Sequence, residues 1–441
     1  MKKGIKIATI GGGSSYTPEI IEGFINKKLS GELPLEDLYL VDIEEGKEKL
    51  EIVGNLAKRM VSKAEADINI HLTFDRREAL KDADFVTTQF RVGMMEARIR
   101  DEKIPLRYNL LGQETTGAGG FAKAQRTIPV ILDICRDMEE LCPDAWLINF
   151  TNPSGIITEA VLKHTKIKVI GLCNVPIGMV NMVAELYGVE ADRISIDFAG
   201  LNHLVWGRKI YKDGIDVTEE VLDNIVKGNS FNMKNIPDVD LSKDLISALG
   251  VLPCPYHRYY YLSETMLKNT LKDSEEKGTR GEVVRKLEND LFELYKDPDL
   301  NIKPPQLAKR GGAHYSEAAV NLINSIYNDK KDIQYVNVRN NGTILDIPED
   351  TAIECSCVIG KNGAKPIHIG HLETSMRGLL QVVKAYEELT IEAAVKGDYS
   401  AALRALAIHP LVNDSIKAKK VLDDIIRENI EYLPQFKDLN L

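Results

Sequence analysis

Cys173 and His203 lie thirty residues apart and carry the two kinds of side chain best suited to hold a transition metal. Each follows an apolar run with the character of a strand. A lone buried cysteine more often only packs, and a lone histidine is more often a hydrogen-bonded core residue. A closed zinc site uses four protein ligands, and only two good ones occur here. We therefore expect an open, catalytic metal site whose remaining positions bind substrate oxygens. The softness of a thiolate favours zinc or iron there.

A glycine-rich turn between a predicted strand (residues 4–10) and a predicted helix indicates a nucleotide site. It consists of Gly11, Gly12, Gly13 and Ser14. Such a turn lets the backbone approach a pyrophosphate, although Tyr16 replaces the third glycine of the usual Gly-x-Gly-x-x-Gly pattern. Asp42 closes the second strand, where it can accept hydrogen bonds from ribose hydroxyls, which favours NAD over its 2′-phosphorylated form. The simpler interpretation is a tight turn beside a surface aspartate.

Two side chains are candidates for the chemistry itself. Tyr256 lies in the aromatic run 255–261, and it could act as a general base if a nearby cation lowered its pKa from about 10. Glu114, in the glycine-rich segment 112–120, could orient or tune a catalytic group from a loop that lies against a ligand. The plainer alternatives are an aromatic core and a structural loop.

Two more side chains are candidates for binding a substrate. One is an arginine of the segment Arg91–Arg98, which follows the predicted strand 84–90 and could bind a phosphate or a carboxylate, or the segment could form a solvated helix face. Asn152 follows the predicted strand 145–150, where it could hydrogen-bond a hydroxylated ligand or only cap the next helix.

The elements that position these residues alternate between strands and helices in the first part of the chain. This alternation predicts an α/β fold with a Rossmann-type, doubly wound parallel sheet. After about residue 190 the pattern changes to antiparallel-type strands and long helices, and from Leu372 it is almost wholly helical. We expect an NAD-binding domain over residues 1–192, and over 193–441 a mixed α+β, helix-rich domain for substrate, metal and oligomerisation.

Composition excludes several classes of function. The 441 residues carry a formal charge of −10, which argues against a nucleic-acid surface. The sequence shows no apolar run long enough for a membrane span and no signal peptide. Scattered cysteines indicate reduced thiols and a cytoplasmic protein, and Cys355 and Cys357 are expected to pack on one face of a strand.

Together these segments resemble glycoside hydrolase family 4, the NAD- and divalent-metal-dependent glycosidases. The likeness runs from the Gly11–Ser14 turn to the region Leu406–Val412. It implies a C-terminal domain similar to that of lactate and malate dehydrogenases, and assembly as a homodimer or homotetramer. It also implies NAD and Mn²⁺, or another divalent metal, as cofactors.

The resemblance also implies a role for each site residue. Cys173 and His203 would bind the metal, Tyr256 would be catalytic, and Glu114 would tune the site. The implied substrate contacts are Arg98, Asn152, Asn174 and Arg280. The residue after the metal cysteine is aspartate in α-glucoside-cleaving members, whereas Asn174 stands here, which is similar to the 6-phospho-β-glucosidase branch.

The mechanism implied by this resemblance begins with transfer of a hydride from carbon 3 of the sugar to NAD⁺. The metal acts as a Lewis acid on the carbon 2 and carbon 3 oxygens, and Tyr256 removes the carbon 2 proton. The glycosidic oxygen then leaves, water adds, and the hydride returns. The substrate would be a phosphorylated disaccharide or glucoside, and the products glucose 6-phosphate and the aglycone.

Three alternatives stay open at this point. The chain could be a 6-phospho-α-glucosidase or another glycosidase of the same family. It could be an NAD-dependent 2-hydroxy-acid dehydrogenase, with Arg98 binding the carboxylate. It could also be a non-catalytic nucleotide-binding sensor, against which the joint presence of Tyr256, Cys173 and His203 argues.

Overall fold

The structure is a computed structural model that describes residues 4–227, 236, 239–310 and 315–439. Its strands are β1 (Ile5–Ile10), β2 (Leu35–Val41), β3 (Asn69–Thr73), β4 (Phe85–Thr88), β5 (Trp146–Asn149), β6 (Lys168–Gly171), β7 (Ile194–Leu201), β8 (Leu204–Lys212), β9 (Ile215–Asp216), β10 (Leu252–Pro253), β11 (Asp332–Arg339), β12 (Ala352–Gly360) and β13 (Gly363–Pro366). Its α-helices are α1 (Thr17–Leu29), α2 (Lys47–Lys63), α3 (Arg76–Leu80), α4 (Met94–Leu106), α5 (Gly117–Leu141), α6 (Ser154–His164), α7 (Asn174–Tyr187), α8 (Thr218–Val226), α9 (Lys243–Leu249), α10 (His257–Tyr261), α11 (Ser263–Glu276), α12 (Arg280–Tyr295), α13 (Tyr315–Asn328), α14 (Thr374–Lys396), α15 (Tyr399–Ile408) and α16 (Ser415–Asn429).

The first six strands form a parallel sheet in the order β3-β2-β1-β4-β5-β6. This is the strand order of a doubly wound dinucleotide-binding fold, as the alternation of strands and helices predicts. Helices cover both faces of such a sheet, so its central strands are largely buried, and Ile7, Val86 and Leu147 are fully buried. The order reverses between β1 and β4, which opens a crevice at their carboxyl ends.

The later strands extend the same sheet in antiparallel fashion. Strand β11 joins β6 through the pair Asn337 and Gly171, and β12, β7, β8 and β10 follow outward. The chain after residue 193 therefore continues the parallel sheet by hydrogen bonding. The division into domains at 192/193 stays a prediction.

The glycine-rich segment 112–120 forms a loop only up to residue 116, whereas the sequence predicts a loop over the whole segment. Helix α5 begins at Gly117, so the last glycines of the segment form its first turn. A Cβ at Gly119 would collide with the carbonyl oxygen of Gln113, and one at Gly120 would lie 2.6 Å from the carbonyl carbon of Thr115. The glycines thus let the loop that carries Glu114 pack directly on the helix N-terminus.

Cys355 and Cys357 lie on one face of β12, as the alternation predicts, with 3.6 Å between their sulfur atoms in the buried core. In the part of the chain that the structure describes, none of the helices combines the length and the apolar character that a membrane crossing requires.

Candidate active site

A cavity of about 1130 Å³ lies in the crevice at the carboxyl ends of the parallel strands. All of the predicted site residues line it except Gly12 and Cys173. Those that do are Gly11, Gly13, Ser14, Asp42, Arg98, Glu114, Asn152, Asn174, His203, Tyr256 and Arg280. Residues from the two predicted domains therefore meet around one space, which is large enough for a dinucleotide and a sugar together.

The glycine turn forms one end of the cavity. Gly11 has a φ of +89°, and a Cβ there would lie 2.9 Å from backbone atoms of Gln89 and Phe90. A Cβ at Gly12 would lie 2.7 Å from the Leu40 side chain. Only glycine fits these two positions, because one needs a left-handed backbone and both lie against a neighbouring strand end.

Asp42 fixes the turn from the end of β2. One carboxylate oxygen accepts a hydrogen bond from the Gly13 amide at 2.8 Å, and the other accepts one from the Ile43 amide at 2.9 Å. Burial raises the pKa of Asp42, and these two amide donors oppose that effect. Asp42 also lines the cavity, and a carboxylate oxygen can accept more than one hydrogen bond, so the predicted contact to ribose hydroxyls is compatible with this arrangement.

His203 lines the cavity, and Cys173 directly precedes Asn174, which also lines it. Cys173 is the N-cap of α7 and its sulfur accepts a hydrogen bond from the Val175 amide at 3.5 Å. His203 lies at the tip of the β7–β8 hairpin with a φ of +64°, an uncommon value for a residue other than glycine. A positive φ is common in tight hairpin turns such as the one between β7 and β8, and here it sets the direction in which the imidazole leaves the backbone.

The two side chains fit a metal by their chemistry. The Nδ1 atom of His203 is buried and has no hydrogen-bond partner within the described residues. Burial lowers the pKa of His203 to about 3, so the imidazole is neutral, as a ligand must be. Burial also raises the pKa of Cys173. The described residues contain no group of three or more histidine, cysteine or acidic side chains arranged to hold an ion.

Tyr256 packs directly on His203. Its ring stacks on the His203 ring with 3.8 Å between the centroids and 5° between the planes. Its side chain also hydrogen-bonds Thr115, next to Glu114. Burial, followed by the nearby Cys173 thiol, raises the pKa of Tyr256 well above its usual value. A base at this position therefore needs a cation beside it.

Glu114 lies at the centre of a cluster of cations. Its carboxylate is 2.6 Å from the Arg91 guanidinium, 3.0 Å from that of Arg98 and 3.2 Å from the Lys123 ammonium. Burial opposes ionisation of Glu114, but these cations prevail and hold its pKa well below the usual range. Burial, and then the neighbouring Arg91, lowers the pKa of Lys123 to about 7. Sequence reasoning missed Lys123, because the interior of a long helix gives no sign that a lysine faces a cavity.

Arg280 and Asn174 begin helices at the cavity wall. Arg280 opens α12 behind a capping box formed by Thr279 and Glu282, and its guanidinium donates to the Arg310 carbonyl oxygen at 3.1 Å. Asn174 opens α7 directly after the Cys173 thiol.

Asn152 does not cap a helix, because Pro153 is the N-cap of α6 and no side chain caps that helix. The amide oxygen of Asn152 is buried and has no hydrogen-bond partner among the described residues. A polar atom left unpaired beside a cavity favours the ligand-binding interpretation over the capping one.

A second missed residue is Asn202, which lies beside His203 in the sequence. Its amide donates to Glu354 at 3.2 Å and to the Cys173 thiol. Burial raises the pKa of Glu354 to about 8. The position of Asn202 next to a predicted ligand was the available signal for its role.

Sequence comparison places the whole site in one family. A model of the family 4 glycosyl hydrolases matches residues 6–189, and a model of the family 4 C-terminal domain matches residues 198–412. The chain belongs to glycosyl hydrolase family 4. This confirms the family that the motifs predict.

Relatives within family 4 match over nearly the full chain. A probable 6-phospho-beta-glucosidase of Bacillus subtilis is 58% identical over 99% of both chains. A 6-phospho-beta-glucosidase of Escherichia coli is 47% identical over 99% of this chain and 98% of its own. The structure of the Thermotoga maritima 6-phospho-beta glucosidase with manganese, NAD⁺ and glucose-6-phosphate has a TM-score of 0.88 at 36% identity, covering 97% of this chain and 99% of that one.

The predicted fold class is confirmed as well. A lactate dehydrogenase of Eimeria maxima superposes with a TM-score of 0.51 at 18% identity, covering 90% of this family 4 chain and 97% of its own. At this level of identity the match concerns the fold alone. It agrees with the sheet order and with the likeness to lactate and malate dehydrogenases.

Proposed function

We propose that this chain hydrolyses 6-phospho-β-glucosides to glucose 6-phosphate and an aglycone, with NAD and Mn²⁺ or another divalent metal as cofactors. The observation that carries the proposal is that the glycine turn, His203 and Tyr256 line one cavity, and that Cys173 directly precedes Asn174 in the wall of the same cavity. The Thermotoga relative, solved with manganese, NAD⁺ and glucose-6-phosphate, supports the choice of ligands.

Preference for the β-linked substrate rests on two supports. Relatives at 58% and 47% identity carry the name 6-phospho-beta-glucosidase. Asn174 stands beside the metal cysteine, and an amide cannot supply the titratable proton that an aspartate would offer there. Protonation of the leaving group would then come from water or from another group.

The cofactors have residues that fit them. The turn Gly11–Ser14 and Asp42 would hold NAD, and Cys173 with His203 would hold the metal. When bound, these groups supply a reversible hydride acceptor and a Lewis acid that acidifies the carbon next to a ketone.

The protein's own residues perform the remaining tasks. Tyr256 takes the proton from carbon 2 of the sugar, because it is the buried phenol that stacks on the predicted metal ligand His203. Glu114 balances the cations that surround it and holds the loop next to Tyr256 in place. Arg98 and Arg280 provide positive charge for a phosphate, and Asn152 offers an amide to a sugar hydroxyl.

The substrate assignment is tested with p-nitrophenyl β-glucoside 6-phosphate, its α-anomer and the unphosphorylated β-glucoside, each with NAD⁺ and Mn²⁺. We expect rapid release of nitrophenol from the phosphorylated β-anomer and little from the other two. Faster cleavage of the α-anomer would favour a 6-phospho-α-glucosidase. Net NADH production from malate or lactate would instead favour a dehydrogenase.

The metal assignment is tested with Cys173→Ser and with Cys142→Ser as its matched control. Cys142 is also a buried thiol, but it follows the C-terminal end of α5, near Lys6 and Asp82, whereas Cys173 is near Tyr256. We expect Cys173→Ser to lose bound metal and activity, and Cys142→Ser to keep both. Full activity with unchanged metal content in Cys173→Ser would contradict the assignment.

We also propose, from the scattered cysteines, that the protein is cytoplasmic and, from the family resemblance, that it assembles as a homodimer or homotetramer. Sedimentation equilibrium of the purified protein should give two or four times the chain mass of 49.2 kDa. A monomer at working concentration would contradict the assembly.

A further inference from the structure

Asn202 connects the elements that carry the predicted metal ligands. Its amide oxygen accepts a hydrogen bond from the Gly155 amide at 3.4 Å, at the start of α6. Its amide nitrogen donates to an oxygen of Glu354 at 3.2 Å and to the Cys173 thiol. Asn202 directly precedes His203 in the β7–β8 hairpin. Its side chain therefore connects the hairpin that carries one predicted ligand to the other ligand, Cys173.

Glu354 fixes which way the Asn202 amide points. It is fully buried on β12, opposite Gly200 of the hairpin strand β7. The same carboxylate oxygen accepts a second hydrogen bond, from the Asn337 amide at 2.9 Å. With an acceptor on one side and the Gly155 donor on the other, the Asn202 amide has one favourable orientation. In that orientation its nitrogen faces Glu354 and Cys173.

We propose that Glu354 is a positioning residue for the metal pair. By orienting the Asn202 amide, it holds the Cys173 sulfur and the His203 hairpin in the geometry that binds a metal. The proposal rests on the metal site of the proposed function. It adds Glu354, a buried residue that does not line the cavity, to the residues on which metal binding depends. Substitution of a side chain that orients a metal ligand through hydrogen bonds typically weakens metal binding about 10- to 100-fold.

Three substitutions distinguish the positioning role of Glu354 from a role in which its side chain only packs in the core. Glu354→Asp keeps the carboxyl group but shortens the side chain, so the group no longer reaches Asn202. Glu354→Ala removes the acceptor, and Glu354→Gln keeps an acceptor oxygen at the same length. Asn337→Ala is the matched control, because it removes the other amide bound to Glu354 and leaves the bond to Asn202 in place.

The experiment titrates metal-free full-length protein with Co²⁺ and records the thiolate-to-cobalt absorption band. Unfolding of the metal-free proteins is measured in parallel. We expect Glu354→Asp and Glu354→Ala to bind Co²⁺ roughly 10- to 100-fold more weakly with a shifted band. Glu354→Gln and Asn337→Ala should stay within about threefold of the wild type, by the same reasoning.

Several results would overturn the proposal. If Glu354→Asp binds Co²⁺ as the wild type does, Glu354 does not position the ligands, even if Glu354→Ala fails to fold. A glutamine variant as weak as the aspartate variant would also contradict a role through hydrogen bonding. Absence of any thiolate band in the wild type would overturn the metal assignment itself, and the two failures are thereby distinguished.

Discussion

Replacing Glu114 with glutamine should destabilise the protein by about 3 kcal/mol or more. Three cationic groups lie within 2.6–3.2 Å of its carboxylate. At an effective dielectric constant near 20, each contact of this length contributes roughly 5 kcal/mol. Desolvation of each buried ion costs several kcal/mol and offsets part of this attraction. Removing one partner of a buried ion pair therefore lowers stability by about 3–5 kcal/mol in total.

The structure places the expected loss at the lower end of that range. Arg98 keeps a second partner, Glu102, at 2.9 Å. Arg91 is 21% exposed and can turn toward water. Lys123, with a pKa of about 7, can release its proton at modest cost. Each of these responses relieves part of the charge that Glu114→Gln leaves unbalanced.

Urea unfolding of the wild type and of Glu114→Gln at pH 7 measures this loss. Glu282→Gln is the control, because its partner Lys103 is 44% exposed and a surface ion pair contributes less than about 1 kcal/mol. Glutamine can also keep the capping bond of Glu282. If Glu114→Gln loses no more stability than this control, the central role of Glu114 among the cations is wrong.

Three further predictions concern the tyrosine, the glycine turn and the buried lysine. Tyr256→Phe should lower kcat about 10²- to 10⁴-fold in the nitrophenol assay. Tyr261→Phe, in the same aromatic run but outside the cavity wall, should not change it. Gly11→Ala should lower stability by about 2–5 kcal/mol and weaken NAD⁺ binding in calorimetry. Gly188 also has a positive φ but open space around it, so Gly188→Ala should lower stability by only about 1–2 kcal/mol. Equal losses of stability in the two variants would contradict the steric argument. Burial lowers the pKa of Lys123 to about 7, whereas the unfolded chain keeps that proton to about pH 10. Between pH 7 and 10 the free energy of unfolding of the wild type should therefore rise relative to that of Lys123→Met, by up to roughly 4 kcal/mol. Urea unfolding at several pH values measures this difference. A difference that does not change with pH would contradict the prediction.

The sequence identifies the parts of the site that follow strand ends. The glycine turn after β1, Asp42 after β2 and Cys173 after β6 all lie at the same sheet edge, because parallel strands share it. Regular alternation of strands and helices predicts that edge, so these residues can be placed without a structure.

Contacts between distant parts of the chain could not be predicted in this way. Glu354 bonds to Asn202 across 152 positions, through an antiparallel strand that no local pattern assigns to the parallel sheet. Lys123 looks like any other polar residue of a long helix until the fold buries it beside Glu114. Asn152 was open to two interpretations, and only the position of the helix start decides between them.

Hydrolysis by the proposed mechanism requires removal of the proton on carbon 2, a step that we assign to Tyr256. Removal of this proton is tested by turning over a 6-phospho-β-glucoside in D₂O with NAD⁺ and Mn²⁺ and recording the NMR spectrum of the product. Free glucose 6-phosphate incubated in the same buffer serves as the control for exchange without turnover. We expect deuterium at carbon 2 of the glucose 6-phosphate formed. A product that retains its hydrogen fully at carbon 2 would contradict it.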